Sequence, residues 1–384
     1  MIAVGVVLTS QKIAVILLAA GVLLGCVSAE SWEAVHILND IEAGSRPSKL
    51  KSITPSPARK RNAVYLPDGL GLADLYEPNQ PVGGALVLVP GFTPDGKDDV
   101  HIVNLAYSLA RARFRVLVPD LSGARGLRVR LEDADTIANA VTYLAQTDPV
   151  AQQQGVVVIA ISYAVGLAVL ASLQEGMQER FGVLVSIGGY YDAKAMVTFT
   201  TTGRFREPGL AEWRFVRPHP AVKWMFLASN IDLLDDPRDR AALTAIVERR
   251  LLDPKAPIDD LAEGLGPEGK SLLDLMTNAN PERVTSLLAL VPDKIRDRIE
   301  TLSLQNYDLS HLAGRLILIH GRKDNMIPYT ESLRLNSTIP DSELFIIDGF
   351  THVDPATIGI TGRLQLVDAL MAVLKRRKQE MVTR

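Results

Sequence analysis

Val156-Val157-Val158-Ile159-Ala160-Ile161-Ser162-Tyr163-Ala164-Val165-Gly166-Leu167-Ala168-Val169-Leu170-Ala171 is the stretch that decides the fold. The residues before Ser162 form an unbroken apolar run dominated by β-branched side chains, the composition of a strand buried on both faces. Those after it are small and apolar and read as a helix packed on the same sheet. With no turn residues between the two, the strand must pass straight into the helix. Ser162 then occupies a strained bend that holds its hydroxyl out from the chain. Bulk two positions to either side would clash, and Ala160 and Ala164 keep both positions small. The usual form of such a bend is Gly-x-Ser-x-Gly. Alanine adopts the required dihedrals less readily than glycine, so the pentapeptide alone fits a capping or packing serine as well as a nucleophile.

Its companions along the chain decide between these. A second buried strand over 85–89 ends in Pro90-Gly91-Phe92-Thr93-Pro94-Asp95-Gly96, and a third over 114–118 runs into Pro119-Asp120-Leu121. Strands over 183–187, 315–319 and 343–349 follow, and stretches of helical pattern alternate with them. That alternation predicts an α/β fold: a doubly wound, mostly parallel sheet with its site at the strands' carboxyl ends. Two of those ends carry the groups a serine nucleophile needs. His320-Gly321-Arg322-Lys323-Asp324 supplies a carboxylate, and Gly349-Phe350-Thr351-His352 supplies an imidazole. A hydroxyl is a weak nucleophile at neutral pH and needs a base within hydrogen-bond reach, which in turn needs a group to orient it. His320, beside the acid loop, reads as a structural histidine.

Ser162, Asp324 and His352, in that chain order, resemble the triad of the α/β-hydrolase superfamily, in its large branch of capped esterases, lipases and related serine hydrolases. The resemblance runs from about Ala63 to the C-terminus and includes Tyr76-Glu77-Pro78 and Pro119-Asp120-Leu121-Ser122-Gly123. It implies Ser162 as nucleophile, His352 as general base and Asp324 as its orienting acid. It further implies the backbone amides of Phe92 and Tyr163 as oxyanion donors. Asp192 is a second place where some members carry the acid, ranked below Asp324. The two alanines of the elbow depart from the family pattern.

The interval between Asp192 and the Asp324 strand is too long for a plain connection and is expected to be a helical cap. Asp236-Pro237 starts one helix, with Leu243, Ile246, Val247 and Leu251 on one stripe; Asn280-Pro281 starts another, with Val284, Leu287, Leu288 and Val291; Ile295, Ile299 and Leu302 mark a third. Met225, Phe226, Leu275 and Met276 are expected to border a hydrophobic substrate.

The N-terminus has a different character. One lysine, Lys12, precedes an apolar run over 13–24 that closes in Leu23-Leu24-Gly25-Cys26. The run is short for a membrane span and suits a secretory signal. Its close resembles the bacterial lipobox, which implies lipid attachment at Cys26, the only cysteine of the chain. An uncleaved anchor helix is the alternative, and both expect an extracytoplasmic enzyme held at a membrane; Val27 after Cys26 leans toward the outer membrane. The following segment, with Arg46, Lys49, Lys51, Arg59, Lys60 and Arg61 among prolines and serines, reads as a tether. The expected division is signal 1–25, tether 26–62, core 63–192, cap 193–312 and core 313–384.

The 384 residues carry 41 basic and 44 acidic side chains, a formal charge of −3. That balance gives no electrostatic case for nucleic acid, and neither a metal-ligand cluster nor a phosphate-binding glycine loop is visible; no cofactor is expected. The expected chemistry is hydrolysis of a small, apolar acyl ester through an acyl-Ser162 intermediate. A thioesterase, acyltransferase or peptidase on the same triad stays open, as does a non-catalytic binding module on the same fold.

Overall fold

The computed structural model describes residues 29–66, 71–352 and 358–377. Its strands are β1 (Ala58–Leu66), β2 (Gly71–Glu77), β3 (Gly84–Val89), β4 (Phe114–Pro119), β5 (Val156–Ile161), β6 (Phe181–Ile187), β7 (Arg204–Phe205), β8 (Arg214–Phe215), β9 (Leu316–Gly321) and β10 (Glu343–Ile347). Eight of them form one sheet in the order β1-β2-β4-β3-β5-β6-β9-β10, and β7 and β8 pair separately. β2 is antiparallel to both its neighbours, and the pairings from β4 across to β10 are all parallel. The chain leaves β3 toward β4 on one side and returns to β5 on the other. Such a reversal of strand order opens a crevice at the carboxyl ends.

Both faces of the sheet are covered, which is why its central strands read as continuous apolar runs. Helices Asp133–Thr147, Ala164–Ser172 and Thr330–Thr338 bury Ile137, Val141, Leu167 and Leu335 against one face. Helices Ala29–Ala43, Val100–Arg111 and Ile360–Leu374 bury Ile37, Leu109 and Val373 against the other.

The N-terminal part departs from the expected tether. Ala34 and Ile37 of helix Ala29–Ala43 are fully buried, and β1 brings the sheet's edge to Ala58, ahead of the expected start at 63. The basic residues of this segment meet carboxylates: Lys51 Nζ lies 2.5 Å from Asp40, Arg59 2.6 Å from Asp74 and Arg61 2.8 Å from Asp98. Buried Asp40 also accepts from Ser108 Oγ at 2.7 Å. Among the described residues no helix is long and apolar enough to cross a membrane. The expected signal and Cys26 lie outside the described residues.

The cap contains helices Val222–Asn230, Pro237–Leu252, Pro267–Thr277 and Asp293–Leu302, with the shorter Val284–Leu288. They close on a core of their own that includes Trp224, Leu243, Ile246, Leu272 and Ile295. Leu251 is exposed instead of completing its stripe, and Leu275 and Met276 are fully buried in this core instead of bordering a substrate.

Candidate active site

β5 ends at Ile161, and Ser162 takes φ +61° before helix Ala164–Ser172 begins. A non-glycine residue in the left-handed region is strained. The strain is held by the sheet: Ser162 N–H donates to Ile187 O of β6 at 2.8 Å. Ala160 and Ala164, both fully buried, fit beside it, so the elbow forms without the two glycines.

Each of the other groups leaves the end of its own strand. Asp324 follows β9 and His352 follows β10; Gly321 lets these two loops close together, since a Cβ there would lie 2.2 Å from Thr351 O. His352 Nε2 is 2.8 Å from Ser162 Oγ, and His352 Nδ1 is 2.6 Å from Asp324 Oδ2. Asp324 Oδ1 accepts from the N–H groups of Met326 and Ile327 at 2.8 and 2.9 Å. Burial by itself would raise the Asp324 pKa, but the hydrogen bonds from His320 and His352 outweigh it and hold the carboxyl well below the usual carboxylate range. With Asp324 ionised, His352 Nδ1 must donate to it, leaving Nε2 free to accept the Ser162 proton.

His320 is fully buried between Ser332 Oγ, 2.7 Å from Nδ1, and Ile327 O, 2.9 Å from Nε2, with Asp324 Oδ2 at 3.4 Å. Nε2 thus faces both Ile327 O and the Asp324 carboxylate, and His320 braces the acid loop, in keeping with the structural role expected of it. Asp192 stands apart: its carboxylate caps helix Ala193–Thr202 by accepting from Lys194 N–H at 2.8 Å.

Phe92 and Tyr163 stack face to face beside Ser162, their ring centroids 3.7 Å apart. The loop after β3 runs close to the elbow, where a Cβ on Gly91 would lie 3.4 Å from Ser162 Cβ. Neither the Phe92 nor the Tyr163 N–H has a hydrogen-bond partner among the described residues.

A cavity of about 120 Å³ opens at Ser162, lined by the stacked rings, Tyr190, Met196, Met225, Phe226, Leu302 and Met326. Met225 and Phe226 therefore lie where expected. Sequence reasoning missed Tyr190 and Met196, which border the pocket, and Gly188, at φ +61°, where a Cβ would sit 3.4 Å from both Asp324 Oδ2 and His352 Nδ1. The Gly188-Gly189 pair after β6 was the available signal. No cluster of His, Cys, Asp and Glu able to hold a metal occurs among the described residues.

The fold and this relay define a hydrolase of the α/β class. Residues 86–355 match the Alpha/beta hydrolase family, and the chain belongs to that family. Among solved structures it is similar to a lipase in its open form, with 17% identity, 83% of this chain and 99% of that one covered and a TM-score of 0.47. It is similar to the esterase Est1E from Butyrivibrio proteoclasticus, with 15% identity, coverages of 84% and 99% and a TM-score of 0.43. A third likeness is to the esterase RhEst1 from Rhodococcus sp. ECU1013, with 15% identity, coverages of 84% and 99% and a TM-score of 0.41. No curated protein matches the sequence significantly.

Proposed function

We propose that the protein is a serine hydrolase of carboxylic esters with short apolar acyl groups, acting through an acyl-Ser162 intermediate. The observation that carries this reading is the continuous relay from Ser162 Oγ to His352 at 2.8 Å and on to Asp324 at 2.6 Å, opening on an apolar pocket. In the first half-reaction His352 Nε2 takes the serine proton as Oγ attacks the ester carbonyl, and ionised Asp324 stabilises the imidazolium. The Phe92 and Tyr163 N–H groups are assigned to the developing oxyanion, and His352 then returns the proton to the leaving alcohol. In the second half-reaction His352 activates water against the acyl-enzyme.

Volume and polarity select the acyl group. An enclosed apolar space of about 150 Å³ holds one benzene ring, so the 120 Å³ here suits chains of about four to six carbons. The lining offers little to a peptide backbone: Ser229 Oγ is already engaged, donating to Met225 O at 2.8 Å and accepting from Val129 N–H at 2.9 Å. Rates on nitrophenyl esters from acetate to dodecanoate test the reading. The expected kcat/KM peaks between butyrate and hexanoate, and faster turnover of a matched anilide or thioester would replace the ester assignment.

A further inference from the structure

We infer that Ser162 faces away from the membrane to which the chain's N-terminus ties it, so that its substrates are esters dissolved in the aqueous phase and not acyl lipids of that bilayer. The inference rests on the reading above that the chain is membrane-attached, by a lipid at Cys26 or by an anchor helix, and on the hydrolase assignment for its substrate clause.

The geometry starts from the first turn of helix Ala29–Ala43. Both Glu33 carboxylate oxygens accept from Arg377 at 2.6 Å, and the same guanidinium donates to Ala112 O at 2.8 Å. Arg377 also packs by Gly83, where a Cβ would lie 3.5 Å from Arg377 Cβ. Gly84 begins β3 and Phe114 begins β4, so the helix starts at the amino-terminal edge of the parallel strands. Phe92, Ser162, Asp324 and His352 all follow the carboxyl ends of their strands, at the opposite edge. β3 alone, six residues long, separates the two edges by about 20 Å at 3.3 Å per residue. The cap lies at that same edge, since its residues Val222, Met225 and Phe226 line the pocket at Ser162.

The attachment is short and its first anchorage firm. Cys26 precedes Ala29 by three residues, at most about 11 Å of extended chain. Helix Ala29–Ala43 cannot peel away cheaply to lengthen that reach, because Ala34 and Ile37 are fully buried and Asp40 is bonded to Ser108 and Lys51. A headgroup plane at Cys26 therefore lies against the amino-terminal edge, where Trp32 is 46% exposed and Lys375 is exposed at the end of helix Ile360–Leu374. An aromatic side chain with a nearby cation suits that interface. The exposed residues Leu252 and Leu290 belong to the cap, which lines the pocket at the opposite edge, and the proposed orientation leaves them in water.

The test uses the full chain in phospholipid vesicles doped with a short-range quencher lipid, with a fluorophore on Glu30→Cys or, separately, on Leu252→Cys, and the parent chain as background. The chain is expected to float with the vesicles, the label at position 30 to lose more than half its emission and the label at 252 to keep nearly all of it. The bound enzyme is expected to hydrolyse dissolved hexanoate ester at least 100-fold faster than the same acyl group carried on a lipid of its own bilayer. Flotation with the label at 252 quenched would overturn the orientation while leaving the attachment. A chain that does not float would overturn the attachment reading and the inference with it. The labels need no activity, so orientation as expected with turnover of neither ester would refute the substrate clause through the hydrolase reading alone.

Discussion

Two cavities lie on opposite sides of helix Ala193–Thr202, and the smaller one holds the relay of Ser162, His352 and Asp324. Ala193, Met196 and Thr200 face the 120 Å³ pocket at Ser162, whereas Lys194, Ala195 and Thr198 face a space of about 450 Å³ between the cap and helix Thr330–Thr338. The larger space is lined by charge, but that charge is used structurally. Glu331 accepts from the N–H groups of Tyr191 and Asp192 at 3.1 and 2.8 Å, Lys194 pairs with Glu300 at 2.5 Å and the Arg206 guanidinium stacks 3.8 Å over Trp213. Among its described lining residues there is no serine, cysteine or histidine. Size measures room, and the proposed reactivity rests on a strained serine, a histidine with one nitrogen committed and a carboxylate held ionised.

The largest expected effect breaks the relay at the smaller cavity. Asp324→Asn leaves His352 in the wrong tautomer and should lower kcat by about 10⁴ with KM little changed; kinetics on butyrate ester would show it, and a loss below tenfold would remove Asp324 from the relay.

Next comes a buried carboxyl on the Ser162 side. Asp133 is pushed up to about 6 by burial, partly offset by hydrogen bonds from Gly123 N–H and Ser122. A pKa raised in the fold means that its stability contribution is full below about pH 4 and is lost as pH rises through 6. Asp133→Asn should therefore gain on the parent by up to about 3 kcal/mol between pH 4 and 7. Denaturant titrations at the two pH values check it, and a constant difference between the proteins would contradict the assignment.

A smaller effect sharpens the contrast in acyl preference. Phe226→Ala enlarges the pocket at Ser162 and should move the preferred ester two or three carbons longer, each buried methylene contributing about fourfold. Arg206→Ala, at the larger space, should leave kcat/KM within about twofold. A change of acyl preference on that substitution would make the charged cavity part of the site.

How much of this was legible in the sequence varied with the range of the interaction. Strands and elbow were readable because a strand buried on both faces and a small-residue helix declare themselves locally; Asp324 follows such a strand, β9, and His352 follows the apolar edge strand β10. Residues 29–62 were misread because their basic side chains look solvated until their partners are known, and Asp74 and Asp98 lie 15 and 39 positions beyond Arg59. The cap's helices and most of their inward stripes, Leu243, Ile246, Val284 and Ile295 among them, were readable, but which apolar residues reach Ser162 was not. Leu275 and Met276 are as apolar as Met225 and Phe226, and only the helix crossings send the first pair to the cap core and the second to Ser162. Gly188 escaped notice because its need for a positive φ is set by His352, which lies 164 residues further along the chain.

Whether Ser162 is activated is decided by the intact mass of a chain begun beyond Cys26 after treatment with a fluorophosphonate, beside folded Ser162→Ala and His352→Ala. The expected result is one adduct, absent in Ser162→Ala and formed at least 100-fold more slowly in His352→Ala. No adduct on the folded parent, with its cap loosened by mild detergent, would contradict the account and leave a relay that binds without reacting.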